Sequence, residues 1–278
     1  MKKQSVLAPL FFLSFLIGLC TATAGVSHGD RYNQIGKLSY KLGNYLTALK
    51  FFKQALQVDL KKYGKQHTKI ANDYNNIGEA FRGLGQYSRA IKSYKIALTI
   101  DLKIFGPNHS TVAADYNNLG LANKKKGNLD IAISYYKKSL SIDSKNYGLE
   151  HSSVAIAYNN LGGAYYSKGN VDKAIYYFIK AIDIEESKPH RLRHEKIAVY
   201  YNNLGETYRN KGNYKYAILY FKKALNIDLK NYGPLHPKIG IRYNNIGETY
   251  RGKKQFKKAL SYYNKAQKIN LKKLGTNH

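Results

Sequence analysis

Lysine and arginine number 46 in these 278 residues against 17 aspartates and glutamates, a formal net charge of +29. That balance repels cationic partners and attracts anionic ones. The single cysteine, Cys20, excludes an internal disulfide framework. Only eight of the basic residues are Arg, and a Lys, Tyr, Asn and Ile excess also suits an AT-rich genome, so charge alone assigns no function.

The first residues differ from everything that follows. Lys2 and Lys3 precede an apolar run from Val6 to Leu13 that resumes from Phe15 to Leu19, and Ala22-Thr23-Ala24 forms a small-x-small site. A charged start, a short apolar core and such a site describe a secretory signal peptide over residues 1–24, cleaved after Ala24. The run falls short of the roughly 20 apolar residues that span a bilayer. Two alternatives stay open: an uncleaved anchor, and a lipid-modified Cys20 after Leu16-Ile17-Gly18-Leu19, although Leu19 stands where that motif wants a small residue. The expected destination is outside the inner membrane, periplasmic or secreted. Cleavage after Ala24 removes Cys20 and with it all thiol chemistry.

From residue 32 one segment is written six times. Tyr32-Asn33-Gln34-Ile35-Gly36 returns as Tyr74-Asn75-Asn76-Ile77-Gly78, and further copies start at Tyr116, Tyr158, Tyr201 and Tyr243, at intervals of 42, 42, 42, 43 and 42 residues. A fixed period of this size predicts a solenoid, in which each unit packs on its neighbours. Counting the leading Tyr as position 0, apolar residues at 0, 3 and 7 and Gly at +4 share one helical face. Gly costs a helix interior about 1 kcal/mol against Ala, so six on a buried stripe require close approach of a second helix. Gly43, Gly85, Gly127, Gly169 and Gly212 at +11 end this helix A in a left-handed turn. Lys254 holds the sixth such position and predicts a looser turn there. Helix B follows, with small residues at +16 and +23 facing the glycine stripe and aromatics at +20 (Phe52, Tyr94, Tyr136, Phe178, Phe221, Tyr263).

Leading Tyr, Leu/Ile-Gly, a later aromatic, then Ala, aromatic and Ala resemble the tetratricopeptide repeat. The terminal Pro of that pattern is missing; Leu60, Leu102 and Leu229 stand there, and the unit closes on Gly-Pro-x-His (Gly106 to His109, Gly233 to His236). This longer unit is similar to the 42-residue variety of kinesin light chains and many bacterial proteins. The resemblance covers residues 30–278. It implies an all-α fold, a right-handed superhelical solenoid of six helical hairpins forming one domain over 25–278. It also implies that helix A lines a concave groove that binds extended peptides.

The candidate partner-binding residues lie on helix A. Asn76, Asn118, Asn160, Asn203 and Asn245 at +2 match the Asn that holds peptide ligands in chaperone-binding members of the family; Gln34 departs from the pattern. An amide can donate to and accept from a peptide backbone without reading its sequence. The competing reading is that the +1 and +2 amides link adjacent repeats. At +5 and +8, Glu79 with Arg82, Glu206 with Arg209 and Glu248 with Arg251 are placed to pair along one face, while Lys124 and Tyr166 hold +8 in the central copies. Arg offers a planar fork to a partner's carboxylate. Distinct ends and centre would let the groove read a peptide's direction.

His67, His109, His151, His194, His236 and His278 recur near the inter-repeat turns. Neighbouring units stand roughly 8–10 Å apart, too far to share a zinc ion bound at about 2.1 Å, so these residues are expected to cap or pack the turns. The slipped linker, with Pro189, His190, Arg191, Arg193 and His194, predicts an early stop for the fourth helix B. It reads as a polyanion contact, a hinge or a tolerated insertion. No paired carboxylates, phosphate loop, HExxH or nucleophile-base motif stands out, and nothing calls for a cofactor, a metal or a small-molecule substrate.

The sequence therefore describes a non-enzymatic scaffold that binds a protein or peptide, an acidic one included. The rival is an electrostatic binder of lipid, glycan or nucleic acid, through helix B and turn residues such as Lys61, Lys62, Lys137, Lys138, Lys222 and Lys223. Export disfavours nucleic acid and leaves a membrane surface open. The lysine-coated sixth copy either keeps the array soluble or meets another molecule, including a second copy.

Overall fold

The computed structural model describes residues 27–188 and 196–275, with side chains to residue 271. The signal segment 1–24, Cys20, the linker residues Pro189 to His194, and His278 lie outside the described residues. Regular structure among those described is helical throughout. The chain clusters into two compact units, residues 1–127 and 128–278. The first holds α1 (His28–Lys41), α2 (Tyr45–Tyr63), α3 (Thr68–Gly83), α4 (Tyr87–Phe105) and α5 (Ser110–Lys126). The second holds α6 (Leu129–Tyr147), α7 (Ser152–Ser167), α8 (Val171–Glu186), α9 (Lys196–Asn210), α10 (Tyr214–Tyr232), α11 (Pro237–Gly252) and α12 (Phe256–Gly275). Within each unit every helix packs on the next in chain order, and odd-numbered helices are the expected helix A. The fold is an all-α solenoid of tetratricopeptide-type hairpins.

The glycine at +4 is required by a ring. A Cβ built on Gly36 would lie 2.4 Å from Phe52, on Gly78 2.6 Å from Tyr94, on Gly162 2.7 Å from Phe178, and on Gly247 2.7 Å from Tyr263. The sequence expectation placed the small residues of helix B over this stripe. Instead the aromatic at +20 fills the notch, while Ala48, Ala90, Ala174 and Ala217 at +16 are fully buried around it. Between hairpins a further apolar cluster forms where Leu56 and Leu60 of α2 meet Ile70, Ala71 and Tyr74 of α3, with Ala97 and Ile100 of α4.

The hairpin turn repeats in detail. Gly85 has φ +72°, and its N–H donates to the Arg82 carbonyl at 3.1 Å while Gln86 N–H donates to Phe81 at 2.9 Å. The sixth copy does not loosen. Lys254 adopts φ +59°, and the equivalent bonds, Lys254 to Arg251 and Gln255 to Tyr250, are both 2.9 Å. The hydrogen bonds and flanking helices over-determine the turn, so the residue bears the strain.

The histidines both cap and pack. Nδ1 of His67, His109, His151 and His236 each accepts from the backbone N–H two residues on, at 3.2 Å. Each imidazole also stacks on the aromatic that ends the previous helix B; Tyr63 and His67 are 4.4 Å apart, Phe105 and His109 4.3 Å. An early stop is found in α8, which has 16 residues where α2, α4, α6 and α10 have 19.

Left-handed backbone costs a residue with a Cβ about 1–2 kcal/mol, partly offset by the entropy of an unfolded Gly. Lys254→Gly is therefore expected to stabilise the protein by roughly 0.5–1 kcal/mol in urea unfolding; a lower midpoint would show that the turn depends on the lysine side chain.

Candidate functional site

The +1 and +2 amides of helix A bridge neighbouring hairpins. In the first unit Asn76 Nδ2 donates to Asn33 Oδ1 at 2.9 Å, Asn33 Nδ2 donates to Asp73 Oδ1 at 2.6 Å, and Asn75 Nδ2 donates to Asp115 Oδ1 at 2.7 Å. In the second, Asn203 Nδ2 donates to Asn159 Oδ1 at 2.9 Å and Asn245 Nδ2 to Asn202 Oδ1 at 2.8 Å. The inter-repeat link is thus present, and it orients the amides. The carbonyls of +1 Asn33, Asn159 and Asn202 are engaged inside the stack by the N–H of the next +2 amide. Asn76, Asn118, Asn160, Asn203 and Asn245 are all half-buried. A cleft of about 430 Å³ in the first unit is lined by Asn33, Gln34, Lys37, Asn72, Asn75 and Asn76, among others.

The +8 residues rest on the same framework. Arg82 Nη2 donates to Glu79 at 3.4 Å and to the Tyr40 hydroxyl at 3.3 Å, and its charge also acts on the Tyr94 hydroxyl. Burial pushes the Tyr94 hydroxyl up to about 12, against the pull of the Arg82 charge. Tyr94 is the ring seated on Gly78, so the notch that packs the hairpin also steadies the arginine. The sixth copy repeats this: Tyr263 donates to Glu248 at 2.6 Å, and Glu248 accepts from Arg251 at 2.5 Å. Where Phe221 stands at +20, Arg209 lies over its ring at 5.9 Å and pairs with Glu206 at 3.6 Å. Asn210 donates to the Tyr166 hydroxyl. Lys124 is half-buried, and burial, with Lys125 nearby, lowers its pKa. The expected residues therefore divide between the units, Asn76, Arg82, Asn118 and Lys124 in the first and the remaining six in the second, all on helix A. The supporting hydroxyls of Tyr40, Tyr94 and Tyr263 were not anticipated; a Tyr at +20 or +8 was the available signal.

One sequence reading is corrected. Paired carboxylates do exist: Asp59 with Asp73, and Asp101 with Asp115, each pair 14 residues apart and buried at a hairpin junction. Within each pair the carboxyls act on each other electrostatically, and two carboxylates have no donor to offer one another. Both Asp59 oxygens and one oxygen each of Asp73, Asp101 and Asp115 have no hydrogen-bond partner. Burial, against the Asn33 hydrogen bond and with the Asp59 charge, pushes Asp73 up to about 7. Burial does the same for Asp115, against Asn75 and with Asp101. Elsewhere the junction changes: Asp228 accepts from buried Arg242 at 2.8 Å, and Tyr200 is raised by burial and by Glu185.

Hairpins stacked through apolar and amide junctions, with a polar helix A face, define a helical-repeat solenoid. The tetratricopeptide repeat model matches residues 31–103, 90–145, 111–187 and 196–272, and the chain belongs to that family. Among solved structures it is similar to BtubC (BKLC) from P. vanneervenii, 23% identical over 83% of this chain and 94% of that one, TM-score 0.66. A Podosopora anserina protein of nearly identical TPR-like repeats, assigned as a kinesin light chain, is 18% identical over 75% and 98%, TM-score 0.64. A Rap protein complexed with Competence and Sporulation Factor is 16% identical over 96% and 81%, TM-score 0.66. At these identities the likeness shows the fold alone. No curated protein matches the sequence.

The acid pairs give stability a defined pH sense. Between the ordinary carboxyl value near 4 and about 7 the folded state binds more protons than the unfolded one, so stability present at low pH is lost as pH rises through about 7. Unfolding midpoints of the protein are expected to fall from pH 5 to pH 8. Asp73→Asn with Asp115→Asn should flatten that slope; an unchanged slope would place the protons elsewhere.

Proposed function

We propose that this chain is a non-enzymatic scaffold whose helix A face holds an extended segment or a helix of another protein. The observation that carries the reading is the row of amides at +2, glutamates at +5 and arginines and tyrosines at +8, fixed by hydrogen bonds and ion pairs within the stack. A partner meeting such a face freezes few side chains, which preserves affinity. Acidic side chains of the partner would exchange with Glu79, Glu206 and Glu248 for the arginine forks. The Rap protein solved with Competence and Sporulation Factor supports the reading by likeness of fold. Export through the segment 1–24 sets the compartment in which the partner is met.

Affinity capture from the exported fraction, followed by mass spectrometry, tests the groove. Asn203→Ala with Arg209→Ala should weaken a captured protein by roughly 100-fold, two hydrogen bonds to or from polar and charged groups being lost. Lys137→Gln and Lys222→Gln should leave capture unchanged. Retention of every partner by the double variant, with an unaltered melting curve, would remove the groove from the mechanism. For export, N-terminal sequencing of the native protein is expected to begin at Gly25; a chain starting at Met1 refutes cleavage, and a lipid-bearing Cys20 start replaces release with anchoring.

A further inference from the structure

Helix B of the second unit carries a row that the groove does not use. Lys138, Lys180, Lys223 and Lys265 all stand at +22, one in each of α6, α8, α10 and α12, and all are exposed. The first unit has Gln54 and Ile96 at that position, so a uniform lysine bias does not account for the row. Each ammonium lies over a tyrosine: Lys138 over Tyr135 at 5.9 Å, Lys180 over Tyr176 at 5.9 Å, Lys223 over Tyr201 at 4.9 Å, Lys265 over Tyr262 at 5.0 Å. The rings fix where the lysine stems run and lower the entropy that a ligand would have to remove.

Positions +15, +18, +22 and +25 form one exposed stripe on each of these helices, and +29 continues it on α6 and α10. Lys145, Lys173, Lys230 and Lys258 extend its charge; Asp183 is its one carboxylate among the described residues, and it has no arginine there. Glu186, beside the stripe, pairs with Lys223 at 3.3 Å. Among the lysines the stripe exposes Ile131, Tyr176, Tyr216 and Leu219, between 44% and 55% accessible.

We propose that this stripe docks on the surface of a bilayer containing anionic phospholipid. Three observations select that occupant over other polyanions. Ile131 and Leu219 find a water-free partner in the interfacial region of a bilayer, which a sugar-phosphate or glycan chain does not supply. Tyrosine settles at the headgroup level. Flexible point-charge lysines suit laterally mobile phosphates, whereas bidentate phosphate recognition favours arginine. Among the described residues no helix is long and apolar enough to cross a membrane, so the contact is with the surface.

The test is co-sedimentation of the purified protein with vesicles of phosphatidylglycerol and phosphatidylcholine in equal parts, against phosphatidylcholine alone. Binding is expected only with the anionic lipid and should weaken with salt. Lys138→Gln, Lys180→Gln, Lys223→Gln and Lys265→Gln together should weaken it roughly 600-fold, about fivefold for each lysine. Ile131→Ser with Leu219→Ser should also weaken it at unchanged charge, while Arg209→Ala should not, which separates this surface from the groove. Because the substituted side chains are exposed, circular dichroism should show intact helices. No binding at low salt, or full binding by the quadruple variant, overturns the proposal. So does a silent Ile131/Leu219 variant together with equal competition by a single-stranded oligonucleotide, which would mark a general polyanion surface.

Discussion

The fit of an aromatic ring into the notch left by a helical glycine holds each hairpin closed. Phe52 on Gly36, Tyr94 on Gly78 and Phe178 on Gly162 leave no room for a Cβ, and the alanines at +16 complete the contact. Gly is a poor helix residue, so the local cost is offset by burial of a large ring. The same ring reaches the next turn of helix A, where the +8 residue stands on the same side as the glycine. There a tyrosine meets Arg82 or Glu248, and a phenylalanine lies beneath Arg209. Packing and presentation of the polar face are thus one interaction. A substitution at the glycine would therefore disturb the arginine about one helical turn further along helix A.

Between hairpins the joints are polar as well as apolar. The amide bridges repeat in both units, but the buried group at −1 does not. It is Asp73 and Asp115 in the first unit, then Ala157, Tyr200 and Arg242 in the second. Burying a charge without a partner is expensive, and the joints resolve this differently: burial raises a carboxyl of each acid pair so that it keeps its proton to higher pH, and a guanidinium pairs with Asp228.

Much of this was legible in the chain. The 42-residue period, the +4 and +11 glycines and the turn histidines gave the hairpins and their ends, because each depends on local backbone geometry or on a contact repeated six times. The ring over glycine was misassigned to the alanines, since periodicity marks which residues face inward without saying which of them touch. The acid pairs were missed for a related reason. Asp59 and Asp73 belong to different repeats, and their pairing exists only once helix B of one hairpin is laid against helix A of the next. Lys254 was expected to relax its turn; hydrogen bonds shared with every other turn imposed the left-handed backbone regardless. On helix A, sequence placed the candidate side chains on one face, yet the tyrosine hydroxyls that steady them emerged only from the packing.

The unlike residues at −1 make the joints non-interchangeable. Near-identical segments in a gene invite unequal recombination, which gains or loses whole repeats without shifting the reading frame. A helix bearing Asp73 grafted behind α10 would replace the Asp228–Arg242 ion pair with a third acid pair and so make that joint sensitive to pH. One bearing Ala157 would abandon that carboxylate altogether. The array can therefore be copied freely in its backbone while its length and order remain keyed, joint by joint, against shuffling.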